Sequence, residues 1–424
     1  MQPTRRLCYT NRPGLPRPAG RARVTPSLAK LIEHRYGTLR VPFELVLPDG
    51  GSVRFAERPE VRVIARSFQG LCALARPAMG RLAQAYVHGD LDFSGSARRM
   101  LDIAERMVGD VAGSPDSIAA RLRLRINQRR TNRENIQHHY DVSNAFYRLW
   151  LDVRMVYSCA YFRRDDDTLD LAQAQKLDHI CRKLRLAPGD RFLDIGCGWG
   201  GLLFWAAERY GVDATGITLS RSQFEHVTRE IARRGLTSSV RVEFIDYLDL
   251  PDDASYDKIA SVGMFEHVGL SRFSAYFGKI QRCLKPGGFV MNHGITHNAP
   301  DAHALGSGIG EFVDRYVFPG GELTHVSKVM SAMAQAGLEV IDAEALREHY
   351  ARTLWHWTER LETNGDAARS EAGEERFRVW RIYMAGSAHA FERGWLSLWQ
   401  LLAGKPLADG RLPHPLTRDY MYVD

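Results

Sequence analysis

The second half of the chain alternates short apolar runs with longer amphipathic stretches. Arg191–Ile195 has the length and composition of a buried strand, and Gly201–Tyr210, which follows it, has helical spacing. The pattern then repeats, and it is typical of a mostly parallel sheet with helices on both faces. The further predicted strands are 213–217, 240–245, 256–262 and 288–293, and the further predicted helices are 220–234 and 271–284.

The segments on either side of this alternation have a mixed pattern, which divides the chain into domains. Before it, helical spacing covers 27–36 and 71–87, and strands are predicted at 41–47, 52–55 and 61–67. After it, the predicted elements are helices near 325–335, 352–363 and 374–391, and strands near 338–345 and 396–402. We expect four parts: an arm of residues 1–24, a small α+β domain of 25–113, a linker helix of 114–134 and an α/β domain of 135–424.

Length and composition exclude several classes of protein. The chain has 424 residues, of which 45% are hydrophobic, and no apolar run approaches the ~20 residues of a membrane-spanning helix. No apolar run follows the N-terminal arginines, as it would in a secretory signal. The six cysteines lack paired spacing, so neither a disulfide framework nor a metal cluster is expected. We expect a cytoplasmic protein with reduced thiols.

The net charge of +7 is concentrated in two places. Residues 1–40 contain nine basic residues and one acidic residue, which leaves a net charge of −1 for the rest of the chain. A second group of arginines lies between Arg121 and Arg133. Such patches bind nucleic acid or anionic lipid surfaces. For residues 1–24 a solvated arm is the alternative.

A glycine-rich segment, DIGCGWGG, runs from Asp194 to Gly201, between the first strand and the first helix of the alternation. Glycines in this position let the backbone turn tightly and approach a ligand closely. The spacing is not the G-x-G-x-x-G of nicotinamide enzymes. It resembles the first motif of class I S-adenosylmethionine-dependent methyltransferases. A tight turn that binds nothing is the alternative.

Three further segments contain residues that packing alone does not explain: 135–141, 157–162 and 263–269. Within the last of these, Glu266 places a carboxylate among apolar neighbours, which is costly unless the group is hydrogen-bonded or functional. His293 ends the fifth strand at the same sheet edge, where open α/β sheets bind their ligands. A satisfied core histidine is the alternative for His293.

The resemblance becomes specific when these segments are taken together. In order, the chain contains NIQHHYDVSNAFY, YSCAYF, LDIGCGWGG, GITLSRSQ, VGMFEHVG and EHYARTLWHW. This series, from about residue 132 to residue 402, resembles cyclopropane-fatty-acyl-phospholipid synthases and mycolic-acid cyclopropane synthases. Residues 25–113, including Tyr86 to Asp92, resemble the small N-terminal domain of the phospholipid-acting members. Mycolate-acting members generally lack that domain, so its presence favours a phospholipid substrate.

The resemblance implies a Rossmann-like seven-stranded methyltransferase sheet and a defined chemistry. The methyl group of S-adenosylmethionine is transferred to a cis double bond of an unsaturated acyl chain, and a carbocation forms. Loss of a proton from the new methyl group closes a cyclopropane ring, and a bound bicarbonate accepts that proton. The implied bicarbonate ligands are the side chains of Glu266, His293 and Tyr350 and the backbones of Cys159 and Ile295.

Further site residues follow from the loops and from the resemblance. Asp246 and Tyr247, after the third strand, are placed to hold an adenine ring. The full set of expected cofactor residues is Tyr157, Ser158, Asp194, Gly196, Cys197, Gly198, Gly200, Thr218, Leu219, Ser220, Gln223, Asp246 and Tyr247. The expected substrate-pocket residues are His139, Tyr140, Phe162 and Tyr316, with ordinary core packing as the alternative for the last two.

The chain departs from the family pattern at two positions. Ser387 occupies the place of a cysteine that has been proposed as an active residue in many members, which would exclude a covalent cysteine mechanism here. Gly294 replaces a commoner threonine next to His293. The carbocation route needs neither side chain.

Three other functions remain open on sequence alone. The same site could yield a methyl- or methylene-branched chain. A nucleic-acid methyltransferase would use the basic patches, but it would need a base-flipping pocket, and we expect no nucleic-acid partner. A catalytically silent lipid- or cofactor-binding protein is the third. We expect peripheral, salt-sensitive association with the inner face of the membrane through the phospholipid surface, and the resemblance implies a homodimer.

Overall fold

The computed structural model describes residues 26–39, 41–109, 143–300, 307–318 and 322–422. The expected arm, the linker helix, His139 and Tyr140 lie outside these residues. Two sheets organise the described chain, one of four strands near the N-terminus and one of seven strands after it. In the described residues, no helix is long and apolar enough to cross a membrane.

The N-terminal domain is a four-stranded sheet packed against helices. The strands are β1 (Phe43–Val46), β2 (Ser52–Arg54), β3 (Val61–Ala65) and β4 (Leu91–Ser94), and the helices are α1 (Pro26–Leu39), α2 (Phe68–Ala75), α3 (Met79–Val87) and α4 (Ala97–Val108). The strand order is β2-β1-β3-β4, in which β1 and β3 are parallel and the other pairs antiparallel.

The helical stretch expected over 71–87 is two helices, α2 and α3. Pro77 lies between them, and proline has no N–H to donate to a continuing helix. Neither β4 nor α4 was predicted from the sequence, although Ser96 caps α4 by accepting a hydrogen bond from the N–H of Arg99. α4 has a strong apolar face, with Met100, Leu101 and Ala104 buried.

The second domain is built on the seven-stranded sheet. Its strands are β5 (Arg191–Ile195), β6 (Asp213–Ile217), β7 (Val240–Glu243), β8 (Tyr256–Val262), β9 (Leu284–His297), β10 (Glu339–Ala345) and β11 (Leu396–Gly404). Their order in the sheet is β10-β11-β9-β8-β5-β6-β7. The five strands from β9 to β7 are parallel, and β11 is antiparallel to both of its neighbours. The predicted fold class, with seven strands and a small preceding domain, is confirmed.

The helices of the second domain cover the sheet and extend over its carboxyl edge. They are α5 (Asn144–Arg148), α6 (Leu169–Leu184), α7 (Gly201–Tyr210), α8 (Arg221–Arg234), α9 (Phe265–Val268), α10 (Phe273–Cys283), α11 (Ile309–Tyr316), α12 (Val326–Gln335), α13 (Arg347–Thr363), α14 (Gly365–Ala372) and α15 (Glu374–Glu392). Thr168 caps α6 by accepting a hydrogen bond from the N–H of Leu171.

The two domains share one hydrophobic core, which extends from Ile32 to Leu398. Polar contacts also join them: Arg378 of α15 forms an ion pair with Asp92 at 3.0 Å, and Arg381 donates to the hydroxyl of Tyr86 at 3.1 Å. At one point the backbones themselves meet, because a Cβ on Gly80 would lie 2.2 Å from the carbonyl oxygen of Gly308. The relative position of the domains is therefore set by contacts that leave little room for change.

Candidate active site

The first cavity of the site lies at the carboxyl ends of the central strands. The strand order reverses between β5 and β8, and such a switch point leaves a crevice for ligands. The glycine-rich loop follows β5 and leads into α7, and Gly196 and Gly200 have φ of +79° and +84°. These are left-handed values that favour glycine. The cavity has a volume of about 120 Å³.

Most of the expected cofactor residues line this first cavity. They are Tyr157, Ser158, Asp194, Gly196, Cys197, Gly198, Thr218, Leu219, Gln223 and Tyr247.

The other three expected cofactor residues shape its loops. Gly200 is the turn residue before α7. Ser220 caps α8 by accepting from the N–H of Gln223, and Asp246 accepts from the N–H of Leu248 at 3.0 Å. The Asp246 carboxylate therefore has a local structural partner in addition to its expected role at an adenine ring.

A buried lysine in the first cavity was not predicted from the sequence. Lys176 of α6 is 1% exposed, and its Nζ donates to the Ser158 hydroxyl at 2.7 Å. Burial lowers the pKa of Lys176 to about 8 and raises the pKa of Asp194 to about 7, and their mutual attraction opposes both shifts. The sequence signal was a lysine within the apolar stripe of α6, beside Leu177 and one turn after Ala172.

A second, larger cavity adjoins the first. It has a volume of about 390 Å³ and shares four lining residues with the first cavity: Tyr157, Ser158, Gly263 and His267. All five expected catalytic residues line it, namely Cys159, Glu266, His293, Ile295 and Tyr350. The remaining lining is mostly apolar and comes from both domains.

Glu266 lines the second cavity and has one carboxylate oxygen without a partner in the described chain. Its Oε1 accepts a hydrogen bond from the backbone N–H of Ile295 at 2.7 Å, and its Oε2 is buried without a hydrogen-bond partner among the described residues. Burial raises the pKa of this carboxyl to about 7, and the bond from Ile295 opposes the shift. The Ile295 N–H is thus bonded to Glu266, which differs from its expected role as a direct ligand of a bound ion.

His293 contacts a polar side chain of the neighbouring strand β11, that of Gln400. Glu344 of β10, Gln400 of β11 and His293 of β9 are successive cross-strand neighbours. The Gln400 amide nitrogen lies 3.2 Å from His293 Nδ1. With the amide oriented in this way, Nδ1 accepts and Nε2 carries the ring proton of the neutral imidazole.

The charge state of His293 supports this arrangement. Burial lowers the pKa of His293 well below its usual value, and the positive charges of Lys176 and Lys183 act in the same direction. Its Nε2 is buried without a hydrogen-bond partner in the described part of the chain. Two residues that line the second cavity therefore have buried polar atoms that need a partner, an acceptor on Glu266 (Oε2) and a donor on His293 (Nε2–H).

One of the two departures from the family pattern lines this cavity, and the other, Gly294, lies between two lining residues, His293 and Ile295. Ser387 of α15 lines it, at the place of the usual cysteine. At Gly294 a Cβ would lie 2.1 Å from a ring carbon of Phe265, so the Phe265 ring occupies the space that a side chain would need. Glycine at this position therefore accompanies a close-packed phenylalanine beside Glu266.

Two expected substrate-pocket residues lie outside the lining of the second cavity. The Phe162 ring stacks on His356 with centroids 5.5 Å apart and packs under the guanidinium of Arg352, on another side of α13. The Tyr316 hydroxyl lies 3.0 Å from His88 Nε2. The expectation that both rings form walls of the pocket is therefore corrected. The contacts of Phe162 agree with the alternative given for it, ordinary core packing.

Comparison with known proteins agrees with this geometry. The sheet order, the reversed β11 and the glycine-rich loop after β5 define the fold of a class I methyltransferase. The sequence model of the mycolic acid cyclopropane synthetase family matches residues 127–401, and the chain belongs to this family.

Similar proteins include relatives of two lengths. A probable fatty acid methyltransferase of Pseudomonas putida is 46% identical over 91% of this chain and 97% of its own length. Cyclopropane mycolic acid synthase 1 of Mycobacterium tuberculosis is 37% identical, covering 64% of this chain and 96% of its own. The solved structure of mycolic acid cyclopropane synthase CmaA1, complexed with SAH and CTAB, superposes with a TM-score of 0.61 at 36% identity, over 65% of this chain and 99% of that one.

Proposed function

We propose that this protein transfers the methyl group of S-adenosylmethionine to the cis double bond of unsaturated acyl chains in membrane phospholipids and forms a cyclopropane ring. The observation that carries the proposal is the pair of unpaired polar atoms, Glu266 Oε2 and His293 Nε2, in a large apolar cavity beside a glycine-rich loop. The membership of the chain in the cyclopropane synthetase family supports the same conclusion.

The two cavities divide the reactants between them. The methyl donor would occupy the first cavity, where the carboxylate of Asp194 can bind an amino group, and the first cavity meets the second at Tyr157 and Gly263. The double bond lies in the second cavity. Its π electrons attack the methyl carbon as the bond to sulfur breaks, and a carbocation remains on the chain. Loss of a proton from the new methyl group then allows the second carbon–carbon bond to form.

The second cavity suits such a cation. The rings of Tyr350 and Phe391 lie 4.8 Å apart between centroids, and both line it together with Tyr157. Aromatic faces attract positive charge, and an apolar enclosure excludes water that would capture the cation.

The residues present fit a bound bicarbonate. When bound, this ion would supply the base that accepts the proton. Glu266 Oε2 accepts a hydrogen bond from a hydroxyl, and His293 Nε2–H donates to an oxygen, so the two unpaired atoms are complementary to a small group that has both. The Tyr350 hydroxyl completes the expected ligand set. Fixed orientation matters more than basicity here, because the cation is a very strong acid.

The phospholipid substrate is supported by the N-terminal domain. Residues of β3, β4, α3 and α4 line the second cavity, and the similar mycolic acid synthase covers only 64% of this chain. Access to such lipids requires a bilayer surface, with which we propose peripheral association, and a homodimer remains a proposal from the resemblance. Binding to anionic vesicles that weakens as salt rises would support an electrostatic contribution.

A methyl-branching fatty acid methyltransferase is the second candidate. The relative from Pseudomonas putida carries the name of a probable fatty acid methyltransferase. The two candidates share every step up to the fate of the cation, so product analysis separates them.

The deciding experiment incubates the protein with labelled S-adenosylmethionine and vesicles of a monounsaturated phospholipid. Vesicles of the matching saturated phospholipid and duplex DNA are the controls. We expect label only in the unsaturated lipid, with a gain of CH2 and loss of the alkene by mass spectrometry and proton NMR. A branched or exocyclic-alkene product would favour the second candidate, and label in DNA would overturn both.

A further inference from the structure

We propose that the N-terminal domain measures the methyl end of the acyl chain, with Met100 and Ala104 of α4 as specificity-determining residues. This inference rests on the proposed function. It adds that selectivity depends on the number of carbons between the double bond and the terminal methyl group, and that this limit comes from a domain without a role in the chemistry.

The second cavity continues from the catalytic side chains into the N-terminal domain. Met100, Leu101 and Ala104 of α4 line it, as do Ile382 and Ala390 of α15. The other lining residues of the N-terminal domain are Val63, Met79, Gly80, Leu82, Ala83, Tyr86, Leu91, Asp92 and Phe93. These residues and the three of α4 form the wall that the N-terminal domain contributes to the cavity. They lie before residue 127, where the match to the family model begins, so this wall is outside the shared catalytic segment.

This wall presents apolar surface to the cavity. Its two polar side chains have partners elsewhere: Asp92 forms an ion pair with Arg378 at 3.0 Å, and the Tyr86 hydroxyl accepts from Arg381 at 3.1 Å. Met100, Leu101 and Ala104 are all buried. An apolar surface whose polar side chains are paired elsewhere suits a saturated hydrocarbon segment.

The wall is also fixed in place relative to the catalytic domain. A Cβ on Gly80 would lie 2.2 Å from the Gly308 carbonyl oxygen, and the N–H of Met79 donates to the Ser307 hydroxyl at 2.9 Å. The domains cannot approach further at this point, and moving apart would break the ion pair between Arg378 and Asp92. A wall held at a constant distance can limit the length of a chain.

The chemistry of a phospholipid decides which end of the chain meets the wall. The carboxyl end of each acyl chain is esterified to a large polar headgroup, which cannot enter an apolar enclosure. The methyl end therefore leads. Once the double bond lies at the donor's methyl group, only the carbons beyond it extend towards α4.

Three acyl chains distinguish a limit on the methyl side of the double bond from a limit on total chain length. Palmitoleoyl and oleoyl chains have the double bond at the same distance from the carboxyl group, but oleoyl has a longer methyl side. Cis-vaccenoyl has the total length of oleoyl and the methyl side of palmitoleoyl. Vesicles of phosphatidylglycerol with each chain are supplied to the full-length protein, and kcat/KM is measured for each.

Two substitutions in the wall change the space available to the methyl end of the chain in opposite directions. We expect Ala104→Leu to lower the oleoyl-to-palmitoleoyl ratio of kcat/KM about tenfold while the cis-vaccenoyl-to-palmitoleoyl ratio stays constant. Met100→Ala enlarges the cavity and should raise the first ratio severalfold. Ile103→Ala is the matched control, since Ile103 is 2% exposed on the same helix but does not line the cavity, and it should leave both ratios unchanged.

The outcomes distinguish the two proposals. Unchanged ratios in Met100→Ala and Ala104→Leu, with normal melting temperature and normal S-adenosylmethionine binding, would overturn the inference and leave the proposed function standing. A loss of cis-vaccenoyl together with oleoyl would show that total length is measured, which also contradicts the inference. Absence of product from every lipid with the unchanged protein would overturn the proposed function itself. If Ala104→Leu does not fold, Met100→Ala alone decides.

Discussion

The two adjoining cavities are built in different ways. The first is formed mainly by loops that directly follow strands β5 and β6, and several of its polar groups have partners, as Thr218 does in its 2.9 Å bond to Gln223. The second is assembled from residues between Val63 and Leu398, and two of its polar atoms, on Glu266 and His293, lack partners in the described chain. The first is organised to hold one ligand, and the second to complete its polar contacts only when its ligand is present.

The largest expected effect separates binding in the first cavity from chemistry in the second. Glu266→Gln removes the anionic acceptor and should reduce ring formation by about a thousandfold or more. S-adenosylmethionine affinity, measured by calorimetry, should change less than about twofold, because Glu266 does not line the first cavity.

Glu322→Gln is the matched control. Glu322 also lines the second cavity, but its Oε2 accepts from the backbone N–H of Leu270 at 2.9 Å. We expect this variant to retain most activity. Turnover of Glu266→Gln at the unchanged rate would remove Glu266 from the assigned role.

The next effect concerns stability as a function of pH. Burial raises the pKa of Glu266 from 4.5 to about 7, so the folded protein binds this proton more tightly than the unfolded chain does. The protonated carboxyl therefore contributes to the free energy of unfolding in full below pH 4.5, and this contribution is lost as pH rises through 7. The free energy of unfolding of Glu266→Gln, relative to that of the unchanged protein, should therefore increase by on the order of 3 kcal/mol between about pH 4.5 and pH 8. Parallel urea titrations of both proteins across this range would measure it, and a constant difference would contradict the burial of an ionising Glu266.

A smaller effect is expected from the residue that orients His293. Gln400→Leu removes the donor to Nδ1 and should lower kcat about ten- to a hundredfold with little change in KM, because a misplaced imidazole affects the reacting geometry more than lipid binding. The nitrogen-15 shifts of the His293 ring should also change, which a purely structural loss would not cause.

Ser397→Ala serves as the control for Gln400→Leu. Ser397 is buried on the same strand and does not line either cavity. An unchanged kcat in Gln400→Leu would show that Gln400 has no part in positioning His293.

The smallest expected effect concerns the buried lysine of the first cavity. Lys176→Met removes a positive charge that favours the ionised form of Asp194, so the affinity for S-adenosylmethionine should fall about tenfold. The loss of affinity should be larger at about pH 6 than at about pH 8, because Asp194 without the neighbouring positive charge takes up a proton more readily. Lys258→Met is the control, because Lys258 packs over the Phe289 ring and lines neither cavity. Equal losses at both pH values would argue against a link with Asp194.

The difference between the cavities also explains which features could be predicted from the sequence. Strands β5, β6 and β8 and helix α7 have the predicted bounds, because local apolar runs and glycine turns determine them. The glycine-rich loop and Thr218 follow from the same local rules. The resemblance added the number of strands, but the order of the strands and the antiparallel β11 were not predicted, since pairing across a sheet is a long-range property.

The contents of the second cavity were harder to predict. Phe162 and Tyr316 are aromatic residues in plausible segments, but their partners, His356 and His88, are distant in sequence. Gln400 was missed for the same reason, because its role depends on pairing between β11 and β9. α4 was missed as an element, and with it the contribution of the N-terminal domain to the cavity. Contacts between remote segments have no signature in local spacing.

The position of Trp199 has a practical consequence. This indole lies inside the glycine-rich loop, 4.7 Å from the Tyr147 ring between centroids, and its Nε1 donates to the Asn144 side chain at 2.9 Å. It also lines the first cavity. Any ligand that settles there alters the surroundings of an intrinsic fluorophore, so occupancy of the loop can be followed by emission spectroscopy without a label, with Trp199→Phe as the blank.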